Sequence, residues 1–483
     1  MMRQFRILFT ADLHARLFAR AGVCGLDETS RLFSKDENTL LLDGGDLFQG
    51  GADGTFLAAC DETPHPVVKL MDRCGYDAGT IGNHDFNYGV DYFARCLDGR
   101  RMRCLCANIR DKARRLPIEE SHIFTLGNGL RIGVVGICTD ILASWERKET
   151  VAELTILPVL ESAGRALDAI RGDCDVTVGL YHGGFEEDLS TGALLDPSGE
   201  NLACRICRTL DFDLLLTAHQ HVLQEGATIS GTFAVQTGCF GKQYAEIVGT
   251  VPDEGRAAFT AKLLPAPVPQ QDPADSPTLA AMRRWEGEVL CTLPQALPVG
   301  DRVEIALHGS PLAQLVDRVM LDVTGAEIAA TCISASSAGL PQRVTVGDVF
   351  RMYTSANTIC TVRCTGAILR SALERTALFL TWEDGAYRID RQFLVPKERL
   401  YHCDFYAGID YEIDFRRPQG QRLVRLQYHG REVQDGDRFV LAITSYRYAG
   451  GDGYDMFRGC ELIDADPTPI AEHIVRYLRE HGE

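Results

Sequence analysis

Thr80-Ile81-Gly82-Asn83-His84-Asp85-Phe86-Asn87 follows an apolar run and sets an amide, an imidazole and a carboxylate in three consecutive positions. A loop leaving a buried strand aims such groups at a common point. The Asn83 carbonyl oxygen is a hard donor suited to a divalent metal, and the neighbouring His84 can act on a substrate. Alone, the stretch reads equally well as a polar turn.

Its neighbours along the chain decide. An apolar run at 5–10 ends in Ala11-Asp12-Leu13-His14, and another at 39–42 ends in Asp43-Gly44-Gly45-Asp46. Runs at 130–137, 176–181 and 214–216 read as buried strands; the last two lead into His182-Gly183-Gly184 and Thr217-Ala218-His219-Gln220-His221. Helical segments at 66–74 and 161–171 lie between them. In layered α/β sheets ligands gather at the carboxyl ends of strands. One Asp or His beside a Gly is a turn residue; five such endings in order are a site.

The donors Asp12, His14, Asp46, Asn83, His182, His219 and His221 exceed what one tetrahedral ion needs. Two ions would use them well, with Asp46, on a Gly-rich loop that permits close approach, as the bridge. Nitrogen and oxygen donors without thiolate suit Zn, Mn, Fe or Co better than Ca. Such a pair, about 3.5–4 Å apart, activates water and stabilises the oxygens of an in-line displacement at phosphorus.

Composition narrows the setting. At 483 residues the chain needs more than one core. A formal net charge of -18 argues against a nucleic acid polymer or an anionic membrane as partner. It leaves room for a small anionic substrate held by metals or local cations. The start of the sequence shows no export signal, and no apolar stretch is long enough to span a bilayer. With 17 scattered Cys, the expected location is cytoplasmic, with reduced thiols. Cys204 and Cys207, a lone Cys-x-x-Cys, read as one face of a helix.

The motifs Asp-x-His, Gly-Gly-Asp, Gly-Asn-His-Asp, His-Gly-Gly and His-x-His together resemble the calcineurin-like metallophosphoesterases, and within them the two-domain 5'-nucleotidase family. The resemblance implies one metal on Asp12, His14, Asp46 and His221, and a second on Asp46, Asn83, His182 and His219. It makes His84 the catalytic histidine at the phosphate. One position departs: family 5'-nucleotidases carry Asp three residues after that His, where this chain has Asn87. A carboxylate favours a protonated imidazole and an amide does not. The Asn-Tyr-Gly version resembles the branch acting as 2',3'-cyclic-nucleotide 2'-phosphodiesterase and 3'-nucleotidase. His221, where the other branch often has Gln, leans the same way.

Residues 264–277, rich in Pro, Ala, Gln and Asp, read as a linker. Ser276-Pro277 then opens a helix whose face is Leu279, Met282, Trp285 and Val289. Ser310 opens a second, with Leu312, Leu315, Val316, Val319 and Met320 apolar. Strands and helices alternate from 327 onward. The segments 309–312, 353–358 and 444–454 resemble the family's substrate domain, in which two aromatic rings sandwich the base and the two domains can rotate. Tyr446 matches the later ring; Tyr401 is the choice for the earlier one, with Phe405 as runner-up. Asp452 fits the position that accepts from sugar or base, and Asn357 the base edge. The Arg-bearing substrate motif of the 5'-nucleotidase branch is missing at 334–338.

The expected protein is α/β. A layered β-sandwich metallophosphoesterase domain flanked by helices (1–264) precedes a linker and connecting helix (265–297) and an α/β substrate-binding domain (298–483). The expected function is dinuclear-metal hydrolysis of 2',3'-cyclic and 3'-nucleotides by His84 and Asn87. A 5'-nucleotidase or nucleotide-sugar hydrolase is the alternative, and a silent nucleotide-binding module the rival of another class. The oligomeric state is left open.

Overall fold

The computed structural model describes residues 2–19, 24–142, 146, 148–266, 277–355, 357–394, 398–466 and 468–482. The chain forms two compact units, Met1–Met282 and Arg283–Glu483. Most of the expected linker and the Ser276 cap lie outside the described residues.

In the first unit a seven-stranded sheet runs in the order Ala258–Pro265, Gln243–Val251, Arg3–Thr10, Thr39–Asp43, Ala78–Thr80, Arg103–Leu105, Ile118–Glu119. A six-stranded sheet runs Gln224–Ile229, Thr232–Gln236, Leu214–Thr217, Val176–His182, Arg131–Cys138, Ser121–Thr125. Alternation along the strands explains their stacking. Phe5, Ile7 and Phe9 of the first sheet share one core with Ile132, Val134, Val178 and Leu180 of the second. The opposite faces are covered by helices. Leu8 and Leu41 pack with Val67, Val68 and Met71 of helix Pro66–Cys74, and Val135 and Tyr181 with Ala163 and Leu167 of helix Val159–Arg171. The expected sandwich between helical layers is thus present. Cys204 and Cys207 lie on helix Ala203–Thr209, buried in that last core.

The second unit centres on a five-stranded mixed sheet, in the order Asp404–Ala407, Ile328–Cys332, Arg438–Thr444, Ile359–Thr365, Glu461–Asp466. Helix Pro311–Thr324 starts at Ser310, whose side chain accepts from Ala313 N–H, and buries the expected Leu312, Leu315, Val316, Val319 and Met320. One expectation fails. Helix Pro277–Glu286 stops before Gly287, and Val289 instead opens strand Val289–Thr292, paired with Arg343–Thr345. Glycine carries the largest entropic cost in a helix, and the following Val-Leu-Cys-Thr suits a strand. Among the described residues no helix is long and apolar enough to cross a membrane.

Candidate metal centre

Arg3–Thr10, Thr39–Asp43 and Ala78–Thr80 run parallel, as do Arg131–Cys138, Val176–His182 and Leu214–Thr217. Their carboxyl ends deliver the seven expected donors: Asp12, His14, Asp46 and Asn83 from the first sheet, His182, His219 and His221 from the second. The chain bends sharply to do so. Asp12, His14, Asp46, His219 and His221 all have left-handed backbones, with φ between 47° and 72°. Non-glycine residues adopt this region rarely, and such strain collects at functional sites. Gly82 keeps the gap narrow, since a Cβ there would strike the Asp46 carboxylate and backbone.

Two clusters result, Asp12 with His14 and His221, and Asp46 with His182 and His219. In the second, His182 Nδ1 donates to the Gly44 carbonyl at 2.7 Å, which turns Nε2 toward Asp46 Oδ2 at 3.3 Å and Asn83 Oδ1 at 3.1 Å. Those are all acceptors. Burial favours a neutral imidazole, but the Asp46 charge outweighs it and lifts His182 to about 9, so a proton sits among them. Burial likewise opposes charge on Asp46, yet His182, His84 and His14 hold its carboxyl well below the usual range. In the first cluster His14 Nδ1 donates to the Gln49 carbonyl at 2.9 Å, and burial drives its pKa down to about 4. Its Nε2 then meets His221 Nε2 at 3.2 Å. His221 is raised to about 10, where bonding to Asp12 and Cys239 overcomes burial. Lone pairs that face one another across a proton fit a divalent ion, which would take the proton's place.

His84 stands beside this cluster. Its backbone N–H donates to Asp46 Oδ1 at 2.7 Å, and its ring lies 5.6 Å from that of His14. Ring Nδ1 is 2.8 Å from Asn87 Oδ1. The two expected catalytic residues therefore touch.

In the second unit Tyr401 and Tyr446 meet edge to face at 6.1 Å, and Tyr446 is 38% exposed. Phe405, by contrast, is buried in the core. Arg447 braces the pair: its Nη2 donates to the Tyr401 carbonyl at 2.7 Å and to Asp404 at 2.7 Å. Asp452 stays close, but its carboxylate is buried and engaged, by Arg399 Nη1 at 2.5 Å and His402 Nδ1 at 2.5 Å. Asn357 has other partners, its carbonyl accepting from Ile470 N–H and its side chain bonding Tyr353.

A family model described as calcineurin-like phosphoesterase matches residues 5–223, and one described as 5'-nucleotidase, C-terminal domain, matches 295–459. The chain thus carries a calcineurin-like phosphoesterase domain followed by a 5'-nucleotidase C-terminal domain. It is 23% identical to the trifunctional nucleotide phosphoesterase YfkN of Bacillus subtilis over 98% of this chain, and spans 38% of that protein's length. It is also 23% identical to a 2',3'-cyclic-nucleotide 2'-phosphodiesterase/3'-nucleotidase of Yersinia enterocolitica, covering 99% of this chain and 86% of that one. A solved Staphylococcus aureus structure, named provisionally as a 5'-nucleotidase, superposes with a TM-score of 0.85 at 26% identity, covering 99% of this chain and 97% of its own. The protein is a phosphoesterase hydrolase of a family that uses divalent metals.

Two carboxylates of this phosphoesterase went unassigned in the sequence reading. Asp85 clamps the loops together: Oδ1 accepts from Leu47 and Phe48 N–H, Oδ2 from Gly82 and Asp46 N–H. Burial, with the Asp46 charge adding, pushes its pKa up to about 6. Glu200 Oε1 lies 2.5 Å from His219 Nε2, which leaves Nδ1 of that ring toward the cluster. Asp85 was visible inside its motif; Glu200, 19 positions before its partner, sits in no motif and had no signal.

Proposed function

We propose that the protein hydrolyses phosphate esters of nucleotides, with 2',3'-cyclic nucleotides and 3'-nucleotides preferred. The observation that carries this reading is the pair of donor clusters, acceptor facing acceptor, beside an imidazole whose partner is an amide. One ion would be held by Asp12, His14, Asp46 and His221, the other by Asp46, Asn83, His182 and His219, with Zn, Mn, Fe or Co as the candidates. Bound there, the ions supply positive charge for the developing phosphoryl oxygens and make water nucleophilic at neutral pH.

The chain's own residues do the rest. Asp46 spans both clusters and, through its Oδ1, holds the His84 backbone in place. His84 Nε2, the nitrogen not bonded to Asn87, carries a proton to the leaving oxygen. Tyr401 and Tyr446 stack on the base, which contributes about 1–3 kcal/mol for any base. Asp452, held by Arg399 and His402, and Asn357, bonded to Ile470 and Tyr353, are already engaged, so the two rings carry the base contact and these residues support it from behind. The same reading keeps the domain limits at 1–264 and 298–483 and the cytoplasmic location, which the 17 free thiols support.

Hydrolysis of 5'-nucleotides is the second reading, favoured by the close superposition on the Staphylococcus aureus protein. Activity with Mn or Zn toward 2',3'-cyclic AMP, 3'-AMP and 5'-AMP separates them. The cyclic and 3' substrates are expected to turn over faster, and a faster 5'-AMP rate reverses the order.

A further inference from the structure

The amide that replaces the expected dyad carboxylate is not the end of the chain of contacts. Asn87 Nδ2 donates to Glu146 Oε2 at 3.0 Å, while Asn87 Oδ1 faces His84 Nδ1 at 2.8 Å. An amide has a donor end and an acceptor end, and a carboxylate only accepts. Glu146 therefore dictates which way the amide points. With Nδ2 committed to Glu146, Oδ1 must face the ring, and His84 Nδ1 must carry a hydrogen.

We propose that Glu146 is the positioning residue for His84: acting through Asn87, it fixes the Nδ1–H tautomer and leaves Nε2 as the nitrogen offered to substrate. The inference deepens the reading of His84 as the proton carrier and rests on it. Turning the amide over would set Oδ1 against the Glu146 carboxylate and forfeit a charge-assisted bond. Without Glu146 that cost disappears, and the turned amide, with the Nε2–H tautomer it favours, gains population. The backbone that carries the ring is itself held, its N–H donating to Asp46 Oδ1 at 2.7 Å.

The arrangement has a chemical use. The Nδ1–H to Oδ1 bond persists whether or not Nε2 holds a proton. His84 can then gain and lose that proton without reorganising its surroundings. The Glu146 charge also polarises the amide and strengthens the bond to the ring. The chain thus replaces a carboxylate touching the imidazole by a carboxylate one amide away.

Two measurements test this separately from the overall function. The first is 15N NMR of the His84 ring in the metal-free full-length protein, assigned by loss of its signals in His84→Gln. Recorded on the neutral form of the ring, wild type is expected to show the hydrogen on Nδ1, and Glu146→Leu a mixture of tautomers. An unchanged tautomer in Glu146→Leu overturns the inference. The second is a double-mutant cycle in the metal-loaded enzyme with 2',3'-cyclic AMP. Glu146→Leu alone is expected to lower kcat about tenfold with KM within about twofold. Asn87→Asp alone sets two carboxylates against each other, so adding Glu146→Leu to it is expected to raise kcat. A same-direction effect in both backgrounds overturns the positioning role, since a merely structural Glu146 would cost activity in each. If the tautomer shifts as expected but wild type releases no product with any nucleotide, the hydrolase reading falls and the positioning of His84 stands.

Discussion

Both units bury charge, and they do so in opposite ways. In the second unit Arg447 is buried, grips both oxygens of Asp404, donates to the carbonyls of Tyr401, His402 and Gly451, and lies 4.1 Å from the Tyr454 ring centre. Asp452 is matched by Arg399 and His402. Donors meet acceptors, and the cluster needs nothing from outside. In the first unit two carboxylates, an amide oxygen and four imidazoles converge on one another, held by strained backbone. Such a cluster is costly unless cations complete it. A self-sufficient polar core positions rings; an incomplete one binds ions.

The contrast is broken most directly at Asp46. In Asp46→Ala the bridge disappears and His182 loses its nearest countercharge. Hydrolysis is expected to fall by on the order of a thousandfold or more, with bound metal reduced and the second unit still folded by near-ultraviolet circular dichroism. Retained turnover would remove the basis for the dinuclear reading.

Proton uptake gives the contrast a sign. In the metal-free protein His182 is raised to about 9 and His221 to about 10, so both are protonated at neutral pH. An ion must displace those protons. Titration with Mn or Zn at pH 7.5, in buffers of different ionisation enthalpy, is expected to release up to about two protons. Affinity should rise with pH until those histidines are neutral, near 9–10. Affinity independent of pH between 6 and 9 would show that the ions bind elsewhere.

Glu200 tests how far the incomplete cluster extends. Its carboxylate holds His219 Nε2, which orients the other ring nitrogen. Losing such a partner typically costs 10–100-fold in metal affinity. Glu200→Gln is expected to weaken binding by about that factor, read by competition with a chelating dye, while leaving the unfolding of the second unit unchanged.

Tyr446 probes the self-sufficient side. Its ring is 38% exposed, so Tyr446→Ala is expected to change stability little. A lost stacking partner is worth about 1–3 kcal/mol, or about 5- to 150-fold in KM. Equal loss of melting temperature and KM would return Tyr446 to a packing role.

The same contrast explains what the sequence could reveal. The donors of the first unit each follow a buried strand, and parallel pairing carries strand ends to one edge, so local motifs sufficed for Asp12 through His221. The partners that complete them come from elsewhere. Glu146 reaches Asn87 across 59 positions, and Arg447 reaches Asp404 across 43. Glu146 sits in no motif, and Arg447, though inside the 444–454 segment, finds a partner that does not, because a hydrogen bond needs only proximity and sequence spacing does not encode it. Val289 misled for a related reason: helical spacing continues past Gly287 on paper, while the backbone there turns to a strand.

Asp317 departs from this pattern within the second unit, and it sharpens the comparison. It lies on the buried face of helix Pro311–Thr324, and its Oδ1 has no hydrogen-bond partner among the described residues. Burial, with the Asp404 charge adding, raises its carboxyl well above the usual range. The folded state therefore holds a proton that the unfolded chain gives up above about pH 4. Stability is lost as pH rises through that window, the reverse of a paired carboxylate. Asp317→Asn stays neutral in both states. It is expected to stabilise the second unit by about 1–3 kcal/mol at pH 7, with the gain shrinking below pH 4, as measured by urea unfolding at both pH values. A loss of stability at pH 7 would mean that the carboxylate is matched after all, as its neighbours are.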